Sequence, residues 1–178
     1  LRGADVLLLR AKTAVTPRYL LKEKIFSSAE DLYNLIKENI SDCDIFYHVA
    51  AVADFQVTKP QTGKISSDKV MTIKLKPQIK ILDYIKKLNP HVTLVAFKAE
   101  YELTDDELIN VSLKKLKQSH ADAIVANDVS RKDRGFEVDT NEVLIVLPDK
   151  SVKKIPLNTK NEVAVQIVDY LIKRFDLV

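Results

Sequence analysis

Apolar runs of strand length alternate with stretches of helical spacing along this chain. Residues 4–9, Ala-Asp-Val-Leu-Leu-Leu, form a continuous apolar run that predicts a buried parallel strand. Residues 10–24 read as loop around Pro17, with a short strand near 23–26. Ser27 with Glu30 three places on is a capping box, opening a helix with the stripe Leu32, Leu35 and Ile36 that runs to about Asn39. Residues 44–49, Asp-Ile-Phe-Tyr-His-Val, predict the next buried strand. The polar stretch 56–68, holding Pro60 and Gly63, has no helical period. Met71, Ile73 and Leu75 then alternate with Thr72, Lys74 and Lys76, the period of a strand with one wet face.

Pro77 opens a predicted helix through Ile79, Leu82, Ile85 and Lys86, and residues 92–97 are a strand. Thr104 with Glu107 repeats the capping box, ahead of a helix marked by Leu108, Val111, Leu113 and Leu116. Residues 122–126 are an apolar strand and 127–139 a polar loop with Gly135. Residues 143–147 and 152–155 predict a hairpin turning at Pro148-Asp149-Lys150. Thr159 with Glu162 caps a last helix that runs to about Arg174. This order predicts an α/β fold, a Rossmann-like three-layer domain with a largely parallel sheet plus an antiparallel hairpin. The length, 178 residues, predicts a single domain over residues 1–178.

Composition narrows the field. The chain is 46% hydrophobic, which excludes a disordered polymer, and no apolar run reaches the roughly 18 residues of a membrane span. A single cysteine, Cys43, leaves no internal disulfide framework and suits a reducing cytoplasm. No secretory signal is visible at the start of the sequence. A net charge of +3 is too mild to argue for nucleic acid. The three histidines, His48, His91 and His120, are too scattered for a local metal motif. There are three glycines where average usage gives about twelve, and neither GxGxxG nor a Walker loop occurs.

Open α/β sheets bind ligands beyond the carboxyl ends of their strands. Three segments leave such ends. In the first, residues 48–55 (His-Val-Ala-Ala-Val-Ala-Asp-Phe), small residues let a flat ligand approach the backbone. Asp54 there can accept hydrogen bonds from a base or sugar, or hold a cation. Lys64, ten residues on in the polar loop, can reach phosphate oxygens. Equally, Asp54 can be a helix cap and the loop merely solvated. In the second, Val-Ala-Phe-Lys-Ala-Glu (95–100), Phe97 either covers a base or belongs to the core. In the third, Asn127 ends the strand Ile-Val-Ala-Asn-Asp-Val (124–129) and can offer its amide to a ligand or serve a turn.

Taken together, AAVADF (50–55), GKI (63–65), VAFKAE (95–100), AIVAND (123–128), GFEVDTN (135–141) and PLNTKNEVA (156–164) resemble phosphopantothenoylcysteine synthetase in order and spacing. That family is the ligase of coenzyme A biosynthesis, often fused behind a flavin-dependent decarboxylase. The resemblance runs from Arg2-Gly-Ala to the last helix. It implies a CTP- and magnesium-dependent enzyme, with ATP preferred by more distant eukaryotic members. The 4′-phosphopantothenate carboxylate becomes an acyl-cytidylate with release of pyrophosphate. The amine of cysteine then displaces CMP. By position, Ala50, Ala51 and Asp54 match the nucleotide motif, with Asp54 toward the metal. Phe97 matches the base-side aromatic, Lys64 the first lysine of a triphosphate flap, and Asn127 the asparagine near the nucleotide. Lys64 and Asn127 are thereby implied in catalysis. The family also implies a homodimer, cytoplasmic, with FMN only where a decarboxylase half precedes.

Two departures stand out. The flap reads Lys64-Ile-Ser-Ser, so two family lysines are replaced and Lys69 is the nearest substitute. The family's opening strand, glycine-rich turn and helix have no counterpart before Leu1-Arg-Gly-Ala, which implies a domain lacking its N-terminal unit and unable to complete the reaction unaided. His48 reads as a packed histidine, and Lys114, Lys115 and Lys117 as a solvated helix face. The alternatives from other classes are a non-catalytic nucleotide-binding domain and a dinucleotide-binding oxidoreductase. The latter needs a glycine fingerprint that the chain lacks.

Overall fold

The computed structural model describes residues 3–58, 63, 68 and 70–177. They fall into two compact units, interleaved in sequence: Leu1–Ser41 with Ala51–Ile81, and Asp42–Ala50 with Leu82–Val178.

The second unit carries a five-stranded sheet. Its strands are β3 (Ile45–His48), β6 (Thr93–Glu100), β7 (Ala123–Asp128), β8 (Thr140–Val146) and β9 (Val152–Thr159), in the spatial order β3-β6-β7-β8-β9. β3, β6 and β7 are mutually parallel, and β8 and β9 add the expected antiparallel hairpin. Ala123, Ile124, Val125 and Ala126 are all fully buried, which a strand achieves only when both faces of its sheet are covered. On one face Val95, Val125, Val143, Ile145 and Ile155 pack with Val163, Ile167 and Leu171 of α4 (Lys160–Phe175). Alternation turns the intervening Leu94, Ala96, Ile124, Leu144 and Val146 to the other face, equally buried. That face is covered by α3 (Asp105–Ser119), with α2 (Leu82–Leu88) against it and β6. The result is a three-layer α/β arrangement.

Local chemistry sets the ends of these elements. Thr104 Oγ1 accepts the Glu107 N–H, and the Glu107 carboxylate accepts the Thr104 N–H at 2.9 Å, the reciprocal cap read from the sequence. The turn between β8 and β9 is closed by Leu147 N–H to Ser151 O at 3.0 Å. In it, Asp149 accepts from the Ser151 hydroxyl and N–H and from Arg174. These bonds, the Ser151 pair first, hold its carboxyl down at about 2.

The first unit holds β1 (Leu7–Ala11) parallel to β2 (Lys22–Phe26), and β4 (Phe55–Val57) antiparallel to β5 (Leu75–Pro77). Helix α1 (Ala29–Asn39) contacts β2. Three expectations shift here. The run 4–9 is not a strand buried on both faces: β1 pairs only with β2, and Val6 and Leu7 remain 46% and 37% exposed. The cap of α1 is Ser28 with Asp31, one residue after Ser27 and Glu30. Both pairs have capping-box spacing, and Ser28 is the one with extended backbone, while the Asp31 carboxylate also accepts from Ser27 N–H. Pro77 ends β5 opposite Phe55 instead of opening a helix, and α2 starts five residues later, at Leu82. No helix among the described residues is long and apolar enough to cross a membrane.

Candidate functional site at the carboxyl ends of the parallel strands

Because β3, β6 and β7 are parallel, their carboxyl ends emerge along one sheet edge, where open α/β sheets bind ligands. β3 stops at His48, and Ala50 follows two residues later, exposed. His48 pairs with Ala96 of β6, one step before Phe97. On the next strand Val125 pairs with Phe97 and Asn127 with Ala99. The sheet therefore places Ala50 just past β3, Phe97 three residues before the end of β6 and Asn127 at the next-to-last residue of β7. Phe97 and Asn127 share a face by the two-residue period. Phe97 is half-buried against the cluster under α4, so it also serves the core. Tyr47 lies partly buried on the same cluster, and burial raises its pKa.

The chain around Asn127 is tied down from both sides. The Asp128 carboxylate accepts the Ser130 hydroxyl at 2.7 Å and the N–H groups of Ser130 and Glu102, each at 3.0 Å. Burial opposes its ionisation, but these bonds and the Arg131 charge prevail and hold the carboxyl below its ordinary value. Val129 N–H closes on Glu100 O at 2.8 Å, so the loops leaving β6 and β7 are stitched together. Asn127 Nδ2 donates to Asn141 Oδ1 at 3.3 Å. Arg134, with its side chain only 9% exposed, bonds Glu142 at 2.6 Å and Asp133 at 2.9 Å. Lys154 joins Asp105 at 2.7 Å and lies 3.6 Å from Glu142. A small pocket opens among the start of α3, the end of β7 and β8, with Asn127, Asp128, Arg131, Arg134 and Glu142 on its walls.

The remaining expected residues belong to the first unit. Ala51 and Asp54 are exposed, and Asp54 O accepts Gln78 N–H at 2.8 Å, extending the β4–β5 ladder. Asp54 therefore caps no helix. Lys64 and Lys69 lie outside the described residues. Among the described residues no three His, Cys, Asp or Glu side chains converge on a point. An exposed carboxylate such as Asp54 fits magnesium as nucleotide enzymes hold it, by one or two carboxylates and the phosphates themselves.

His48 is half-buried at its strand end. Burial, with the Lys115 charge second, pushes its pKa down, so it is a neutral packed side chain. Cys43 carries a thiol whose pKa is raised by burial, then by Asp42 and Asp44, which makes it a poor nucleophile. Lys115 departs from its expected place on a solvated face. Its side chain is 23% exposed, it sits 3.4 Å from Asp83, and its charge reaches His48. The signal was present in the sequence: Leu108, Ser112, Leu116 and Ser119 are the buried stripe of α3, and Lys115 follows Ser112 by three and Leu108 by seven.

The family model for the DNA/pantothenate metabolism flavoprotein C-terminal domain matches residues 1–175. The chain is 34% identical over 174 residues to the coenzyme A biosynthesis bifunctional protein CoaBC of Thermococcus kodakarensis, covering 97% of this chain and 42% of that protein. It thus spans less than half the length of that relative. Among solved structures it is similar to a DNA/pantothenate metabolism flavoprotein from Streptococcus pneumoniae, with a TM-score of 0.82 and 25% identity over 97% of this chain and 82% of that one. It is also similar to the C-terminal domain of a coenzyme A biosynthesis bifunctional protein CoaBC, with a TM-score of 0.75 and 28% identity over 99% and 79% of the two chains. A match over almost the full length settles membership: the chain belongs to the family of DNA/pantothenate metabolism flavoprotein C-terminal domains.

Proposed function

We propose that this chain is the phosphopantothenate–cysteine ligase domain of coenzyme A biosynthesis, activating its carboxylate substrate with CTP. The observation that carries the reading is the placement of Ala50, Phe97 and Asn127 on the carboxyl-terminal side of three adjacent parallel strands, β3, β6 and β7, in a chain of this family. A carboxylate resists attack by an amine because its leaving group would be oxide. Attack of the 4′-phosphopantothenate carboxylate on the α-phosphorus of CTP expels pyrophosphate and gives an acyl-cytidylate. The cysteine amine then attacks the acyl carbon, loses a proton and expels CMP. Little covalent work is left to the protein, so positioning and charge stabilisation do the catalysis.

In this reading the side chains of Ala50 and Ala51 are small enough for the nucleotide to lie against the backbone. Phe97 lines the base and Asn127 addresses its edge. Lys64 supplies an ammonium to the phosphates, where negative charge builds up as pyrophosphate leaves. Asp54 would hold magnesium, which when bound would offset the negative charge of the phosphates. FMN belongs to this reading only where a flavin-dependent decarboxylase half is fused to the domain.

We also propose a homodimer. The β4–β5 pair leaves Phe55, Val57 and Leu75 57%, 42% and 58% exposed, the apolar face that a second copy would cover in this reading. Replacing Phe55 and Leu75 by lysine should halve the mass found by sedimentation equilibrium. The catalytic reading is tested by Lys64→Ala, which should cut turnover at least a hundredfold with an unchanged urea midpoint. Equal loss of activity and stability would leave Lys64 a structural residue.

A further inference from the structure

The nucleotide-site reading above leaves open what Asn127 says to a base. A carboxamide offers a donor on one side and an acceptor on the other, and the two are alike in shape. Here the backbone decides between them. Glu142 N–H points at the Asn141 side chain at 3.0 Å. A backbone N–H only donates, so the atom it meets must be Asn141 Oδ1. That same oxygen lies 3.3 Å from the Asn127 carboxamide. Two carbonyl oxygens cannot share a hydrogen bond, so the group Asn127 turns toward Asn141 is its amine. Asn127 Oδ1 is then left facing away. Among the described residues no donor reaches it, and it is not sealed from the surroundings.

Asn141 is held in place for this. From Asn141 to Val143 of β8 is two residues, but their partners on β9, Asn158 and Ile155, are three apart, so a bulge interrupts the ladder at this point. Bulges re-aim side chains beside functional sites. Asn127 in turn sits on the face it shares with Phe97, two residues nearer the strand ends.

We infer that Asn141 is a positioning residue that turns the Asn127 carboxamide so that its oxygen faces the nucleotide. The site therefore takes a base with an exocyclic amine at that edge. Cytosine N4 and adenine N6 donate to such an oxygen, whereas uracil O4 and guanine O6 bring an acceptor against an acceptor. The inference rests on the ligase reading only in taking this strand edge as the nucleotide site.

Competition binding in the intact protein tests it, with CTP, ATP, UTP and GTP against wild type, Asn141→Leu, Asn141→Asp and the double variant Asn127→Asp/Asn141→Leu. The wild type should bind CTP at least tenfold more tightly than UTP. Asn141→Leu frees the amide to rotate and should bring that ratio below about threefold. Asn141→Asp keeps an oxygen for both N–H groups and should retain the wild-type ratio. In the double variant the carboxylate that replaces the Asn127 amide offers only acceptors, so the preference should return. Ratios do not depend on how much of a variant folds. Equal binding of CTP and UTP by the wild type, or an unchanged ratio in Asn141→Leu, overturns the inference while leaving the nucleotide site intact. Absence of binding by every nucleotide overturns the nucleotide site itself, and the inference with it.

Discussion

Gly135 lies in the loop between β7 and β8, with φ of +94°. A Cβ built there would lie 2.8 Å from Val129 Cγ1, 2.9 Å from Val129 Cβ and 3.2 Å from Val129 Cα. Carbon atoms rest at about 3.5–4.0 Å, so the overlap is roughly 1 Å. Rotating the valine clears only Cγ1, because Cβ and Cα move with the backbone that Glu100 O and Asp128 hold. The left-handed φ adds about 1–2 kcal/mol for a residue with a side chain. Together these place Gly135→Ala at about 2–4 kcal/mol of destabilisation. Gly63, at φ +112° with no described residue within 4 Å of its Cβ position, is the control. Gly63→Ala carries the conformational cost alone, about 1–2 kcal/mol. Urea denaturation gives both numbers, and amide hydrogen exchange over residues 129–139 shows whether the loop opens. Equal costs for the two variants, with exchange unchanged, would refute the reasoning, because the Val129 contact would then count for nothing.

Three further outcomes are expected. Thr104→Ala removes the cap of α3 and should lower stability by about 1 kcal/mol in urea, with Thr104→Ser nearly restoring it. Arg134→Met leaves Glu142 with only Lys154 at 3.6 Å, and should cost about 2 kcal/mol, less than the loss of a fully buried pair. His48 has a pKa pushed below its ordinary 6.5 in the folded state, so the unfolded chain takes up a proton that the native chain refuses. Its contribution to stability is complete above that value and falls as pH drops through it toward the folded pKa. The urea midpoint of His48→Gln should therefore decline less than that of wild type between about pH 7 and pH 5.

The strands and helices of the second unit could be read from the sequence because each is specified locally. Residues 123–126 are apolar without a break, and only a strand covered on both faces uses such a run. Thr104 and Thr159 announce their helices by cap chemistry alone. Where the reading shifts, the cause is a partner far along the chain. The alternation of Met71, Ile73 and Leu75 promised a longer strand, but β5 holds only Leu75–Pro77, opposite Phe55–Val57, with a further backbone bond beyond each end. Residues 4–9 are apolar enough for a strand with two neighbours, and β1 has one.

The candidate site divides the same way. Ala50, Phe97 and Asn127 could be found because each lies in or just after the carboxyl-terminal half of a recognisable strand. Asn141 could not, since its value lies in a bulge and in one backbone N–H that fixes two carboxamides. Lys115 was half-legible: the helical stripe of α3 includes it, but nothing local says that its charge meets His48.

The central claim is the ligase reaction, and product formation tests it most directly. The intact protein is incubated with CTP, magnesium, 4′-phosphopantothenate and cysteine, and CMP, pyrophosphate and phosphopantothenoylcysteine are followed together. The account predicts one CMP and one pyrophosphate for each phosphopantothenoylcysteine, with no CMP when phosphopantothenate is omitted. Failure to form CMP or product from the intact protein, with NADH binding at the strand edge instead, would contradict it.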